Sequence, residues 1–308
     1  MKKILFSVFD FVKKDFHAGL YLSVFLFTST LILIEYIYFP YDKLTNKYNL
    51  EFKVYFINFF WFFFSYGITL LIIKIFRKNE IKINLELFFK LFVAILILSV
   101  YISYFGQYGI DIKIPYPEKF YFYQVFDNFS GLVTIVIPLS LIWYFLDKES
   151  VPDFYGLRFY GIRLFPLGIL ILTVVAISFI GSFFKDVSKY YPILERTYYK
   201  SFANELGTSE FLTAIFFEIA YLFDFFIIEL FFRGFMILGL IKLLGRNSIL
   251  PVSVLYVVIH FGKPLPETIS SFFGAYFLGI IAFEEKHIWW GVILHCLLAL
   301  AMEIFTLS

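Results

Sequence analysis

The sequence predicts an all-α fold, a polytopic transmembrane helical bundle of about eight or nine helices. Three observations predict it. Of the 308 residues, 61% are hydrophobic and only 16% are charged, where an ordinary soluble chain carries roughly 25% charged residues. Mean hydropathy is +0.83. Apolar runs of about 20 residues recur along the chain, each long enough as a helix to cross roughly 30 Å of hydrocarbon.

In chain order, Lys2, Lys3, Lys13 and Lys14 bracket an amphipathic segment expected to lie on the membrane surface. Its apolar stretch is too short for a signal peptide and no small-residue cleavage site follows, so the whole chain reads as mature protein. Apolar runs then fall near 18–39, 54–76, 87–105, 129–146, 164–184, 211–244, 248–261, 268–283 and 288–305. The run 211–244 would make a helix of about 50 Å, so it must tilt, kink or begin in the interface. The run 248–261 would reach only about 20 Å, too short to cross alone, which predicts packed protein around it. Ser271, Ala275 and Gly279 form a small-residue stripe that lets another helix approach closely.

Pro- and Gly-rich loops punctuate these runs: "FGQYGIDIKIPYPEK", "DKESVPDFYGLRFYGIR" and "FGKPLPET". The middle loop divides an N-terminal membrane region, 1–163, from a C-terminal core, 164–308. Lys and Arg counts give a weak bias towards a cytoplasmic N-terminus. The formal net charge of +2 argues against a nucleic-acid partner. The single cysteine, Cys296, excludes an intramolecular disulfide.

Ionisable groups inside the apolar runs gather in the C-terminal half. Asp224, Glu229 and Arg233 share one run, His260 ends the short one, and His295 and Glu303 lie on the last. A charge at the bilayer centre costs at least about 2.5–3.5 kcal/mol, so such groups face the interior and are functional candidates. Each has a plainer reading. Glu229 and Arg233 at i, i+4 can merely neutralise each other, either histidine can be a satisfied core residue, and Asp224 and Glu303 can snorkel to an interface. His17 and His287, beside loop charges, read as solvated. Cys296 and His295 point about 100° apart on a helix, which disfavours a Cys–His dyad.

One carboxylate, two imidazoles and an arginine suit activation of water. A carboxylate among Phe and Ile becomes a usable general base, and an imidazole can share the water or donate to a developing oxyanion. The same Glu/His/His set is also a legal three-ligand zinc site. Residue types alone therefore leave both a metal-free site, with no cofactor, and a zinc site open.

"ELFFRGF", "YVVIH" and "HCLLA", in that order on successive apolar runs, resemble the motifs of the CPBP family. These are the CAAX prenyl endopeptidase and bacteriocin-processing or immunity proteins, also called intramembrane glutamic endopeptidases. The resemblance covers roughly 164–308. Its motifs are Glu-Glu-x-x-x-Arg, Phe-x-x-x-His and His-x-x-x-Asn or Asp. It implies an intramembrane endopeptidase of a bacterial plasma membrane, acting without a metal on a peptide or membrane-protein substrate, lipidated in some members. Glu229 matches the second glutamate, Arg233 the arginine, and His260 and His295 the motif histidines. The family's usual catalytic base is replaced by Ile228, its oxyanion asparagine by Ala299 and its phenylalanine by Tyr256. Asp224 and Glu303, one turn from the two replaced positions, are the compensations open to the chain. The alternative is a weak or inactive relative that binds a peptide or confers bacteriocin immunity.

Overall fold

In hydrocarbon every backbone N–H and C=O must be satisfied within the segment, so apolar runs become helices. The computed structural model describes residues 2–48, 50–78, 80–81, 83–109, 113–159 and 167–307, and among them every regular element is helical. The proposed boundary between 163 and 164 lies outside the described residues, as do the side chains of Lys2 and Lys3.

The order is α1 (Lys2–Asp15), α2 (Ala18–Leu33), α3 (Tyr41–Lys47), α4 (Lys53–Phe76), α5 (Leu85–Ile102), α6 (Glu118–Gly131) and α7 (Ile137–Ile142). Then follow α8 (Leu167–Ser182), α9 (Lys185–Tyr190), α10 (Tyr199–Leu206), α11 (Glu210–Glu229), α12 (Ile241–Leu244), α13 (Ile249–Val258), α14 (Leu265–Glu285) and α15 (Trp289–Thr306). Among the described residues eight helical stretches are long and apolar enough to cross a membrane, or nine if α8 and the segment Lys185–Leu206, bent by 87°, count as one broken span. The protein is an integral membrane protein.

Two spans differ from the apolar runs. The run 129–146 is part of a longer stretch, Glu118–Asp147, because Tyr121 and its neighbours pack on Phe217 of α11 and Phe202 of α10 and so extend the helix through polar sequence. The long run 211–244 is not one uniform α-helix. It is α-helical to Glu229, π-helical over Leu230–Gly239, and breaks at Leu240. Hydropathy alone does not register a π segment, which has the same composition with i→i+5 bonds.

The short run is joined to the residues before it in the stretch Ile241–Val258, one of the eight candidate spans. All ten residues of α13 are buried, wrapped by neighbouring helices in place of lipid. Ser271, Ala275 and Gly279 are buried on α14. A Cβ at Gly279 would come within 3.1 Å of Ile237 and 3.2 Å of Ile249, so this glycine sets the close approach of α14 to α13 and the π segment. One core cluster runs from Phe11 through α2, α4 and α5 to α13 and Ile288, joining both halves of the chain.

Ion pairs fix one end of the bundle. Asp15, at the end of α1, meets Arg77 at 2.9 Å and Arg246 at 3.3 Å. Phe11 packs on Phe283 of α14. His17 is exposed, as expected, and caps α2 by accepting from Leu20. His287 corrects the expectation of solvation: it is 1% exposed. The reason is the 151–159 loop folding over it. Gly156 at φ +85° lies where a Cβ would press within 3.0 Å of the His287 backbone, and its carbonyl accepts from Ile288.

Candidate functional site

The polar groups of the C-terminal half meet between the end of α11, α13, α14 and α15. Glu229 is the last α-helical residue before the π segment, and its carboxylate is fully buried. Its Oε1 receives His295 Nδ1 at 2.9 Å and lies 2.9 Å from Arg233 Nη1. A carboxylate only accepts, so the neutral His295 ring carries its proton on Nδ1 and leaves Nε2 bare. The other carboxylate oxygen has no hydrogen-bond partner. It packs so closely on α15 that a Cβ at Gly291 would overlap it.

Tyr256 stands at the centre. Its hydroxyl is 3.3 Å from His295 Nε2, its ring lies under the Arg233 guanidinium at 4.7 Å, and its face meets the His260 ring at 4.7 Å. The family phenylalanine would supply the packing but not the hydroxyl. Cation–π contact inside a protein is worth on the order of 1–2 kcal/mol, so the ring also helps hold a buried guanidinium.

His260 closes α13, and its Nδ1 donates to the Tyr256 carbonyl at 2.8 Å. Its Nε2 therefore carries the lone pair and lies 4.0 Å from Glu267 Oε1. Burial first, and the Lys263 ammonium second, hold the His260 imidazole well below its usual range. Burial would also lower Lys263, but Glu267 at 2.8 Å leaves its ammonium above the usual range. Tyr191 donates to both oxygens of the same carboxylate at 3.2 Å. Thr268 donates to the His260 carbonyl at 2.8 Å and lies in hydrogen-bond contact with Tyr36 of the segment after α2, which ties the loop 259–264 to both neighbours.

Glu229, Arg233, His260 and His295 are thus gathered around Tyr256. Asp224 and Glu303 are engaged elsewhere. Asp224 accepts the Tyr101 hydroxyl of α5 at 2.5 Å. Glu303 accepts the backbone N–H groups of Ile193 at 2.7 Å and Leu194 at 3.1 Å, clamping the turn that follows α9. Ile228 is partly buried and packs on the main core, and Ala299 is buried. Among the described residues no three His, Cys, Asp or Glu side chains are grouped to hold a metal ion. Glu267 and Lys263 were not singled out from sequence. The available signal was an ionisable pair at i, i+4 within "HFGKPLPET", immediately after a histidine that ends an apolar run.

No curated protein and no solved structure gives a significant match to the chain. Residues 210–301, the segment that carries Glu229, Arg233, Tyr256, His260 and His295, match the family model of type II CAAX prenyl endopeptidase Rce1-like proteins, which bears out the resemblance read from their motifs.

Proposed function

We propose that this chain is a membrane-embedded endopeptidase of the CAAX protease type, in which histidine and glutamate act on a peptide bond near the bilayer surface. The observation that carries this reading is the convergence of two imidazoles and a paired carboxylate on Tyr256 within the segment that matches the family. Glu229 acts on His295 and not on substrate: sealed from solvent, it holds the ring by Nδ1 and is itself neutralised by Arg233. His260 Nε2 then carries the free lone pair of the site, whereas His295 Nε2 lies 3.3 Å from the Tyr256 hydroxyl. A buried, neutral imidazole is a suitable partner for water, since it accepts a hydrogen bond without bringing a charge to membrane depth.

The test uses the full chain in lipid nanodiscs with internally quenched peptides ending in Cys-aliphatic-aliphatic-X, farnesylated and unmodified. Cleavage that falls at least about 10²-fold in His260→Ala, with thermal stability kept, is the expected result. Capture of these peptides without cleavage by the wild type would replace the enzyme with a binding protein. That outcome is chemically reasonable, because Ile228 and Ala299 supply neither a base nor an oxyanion donor.

A further inference from the structure

We infer that Glu267, on α14, is the catalytic carboxylate of this chain and does the work that Ile228 cannot do on α11. The inference rests on the peptidase reading above and deepens it. A water-activating pair needs one water within hydrogen-bond reach of both members. Glu229 fails this for His260, because its carboxylate is fully buried and committed to Arg233 and His295. Asp224 is committed to Tyr101. Glu267 meets the requirement. Its Oε1 is 4.0 Å from His260 Nε2, too far for a direct hydrogen bond and short enough for one bridging water. A water about 2.8 Å from each atom would subtend roughly 90° at its oxygen, close to the angle between its own two O–H bonds. One hydrogen then points to each acceptor, and the oxygen lone pairs face outward.

Accessibility favours the same pair. The Glu267 side chain is 21% exposed and the His260 side chain 10%, whereas Glu229 is closed off, so a substrate carbonyl can approach only the former. The carboxylate is also held in place. Lys263 at 2.8 Å and Tyr191 at 3.2 Å fix its orientation, and it lies in the first turn of α14, where the helix dipole favours a negative charge.

The step balances without a co-reactant. The water oxygen bonds to the carbonyl carbon as one O–H proton passes to Glu267, and the C=O π pair moves to the carbonyl oxygen. His260 Nε2 keeps the second O–H hydrogen as an acceptor. As the oxyanion reforms the carbonyl, the C–N bond breaks and its electron pair, with the proton returned from Glu267, leaves as the amine.

A plainer role for Glu267 is neutralising Lys263, so the experiment separates the two. In the same nanodisc assay Glu267→Gln keeps the size and the Tyr191 contact but removes the base, and Lys263→Gln removes the ion pair while Tyr191 and the new amide still orient the carboxylate. The expected result is a kcat loss of at least about 10²-fold for Glu267→Gln, with KM within threefold of wild type. Lys263→Gln should keep at least a tenth of wild-type kcat. Equal losses in the two variants with equal drops in Tm would overturn the inference in favour of the ion pair. So would a Glu267→Gln enzyme within threefold of wild type while His260→Ala is dead, an outcome that leaves the peptidase reading standing. A wild type that cleaves nothing overturns both.

Discussion

Glu229 and Arg233 show what a charge pair costs inside a membrane protein. Both are almost wholly buried, and each is held by more than the other: the carboxylate by His295, the guanidinium by the face of Tyr256. Removing one partner leaves a buried charge uncompensated, typically at about 3–5 kcal/mol. Arg233→Ala should therefore lower yield and Tm of the purified protein at least as much as it lowers cleavage. A variant that is as stable as wild type but inactive would assign Arg233 to the chemistry alone. Glu229, Arg233, His260 and His295 were legible in the sequence because ionisable groups stand out against Phe and Ile. Glu267 was not, because its loop looks like any charged connection until the fold returns α14 beside α13.

At the scale of elements, two local devices place the site. The π segment after Glu229 widens the helix where it passes α14 and α13, and places Arg233 beside the Tyr256 ring. Glu303 performs a comparable service for the segment after α9, by accepting two backbone amides that a short turn cannot satisfy internally. Glu303→Ala leaves those amides without their acceptor, at about 1–3 kcal/mol if they stay dry. Hydrogen exchange over 191–197 should quicken in that variant, while the 249–258 helix stays protected. Unchanged exchange in 191–197 would show that water replaces the carboxylate, and would free Glu303 for another role. Because Tyr191 in this segment holds Glu267, kcat should fall modestly as well.

The whole molecule carries a pH dependence that none of its spans predicts. The 151–159 loop, reaching from the N-terminal half, covers His287 in the connection between α14 and α15. Burial, and then the charge of Arg158, push its imidazole down to about 4. In the unfolded chain an imidazole titrates near about 6.5, so between the two values only the unfolded chain binds the extra proton. Stability contributed by keeping His287 neutral is complete above about pH 6.5 and is lost as pH falls towards 4. Tm measured in detergent from pH 7.5 to 4.5 should fall with a slope that His287→Leu reduces. Equal slopes in the two proteins would place the acid sensitivity elsewhere.

The sequence by itself determined that the chain is a helical membrane protein, how many spans it offers, and which four charged or ring side chains share an interior. Those conclusions follow from hydrocarbon, which admits only internally bonded segments and penalises every unpaired charge. It also predicted that the run 248–261 is too short to cross alone, since length is fixed at 1.5 Å per residue, and the fold joins its helix to the preceding residues in the stretch Ile241–Val258. Tertiary structure decided the rest. Whether Asp224, Glu229, Glu267 or Glu303 meets His260 depends on the bearing of four helices and the path of one loop, and carboxylates of equal charge are indistinguishable in sequence. A π turn, a glycine against a helix and a loop over His287 set those bearings through contacts between residues far apart in the chain.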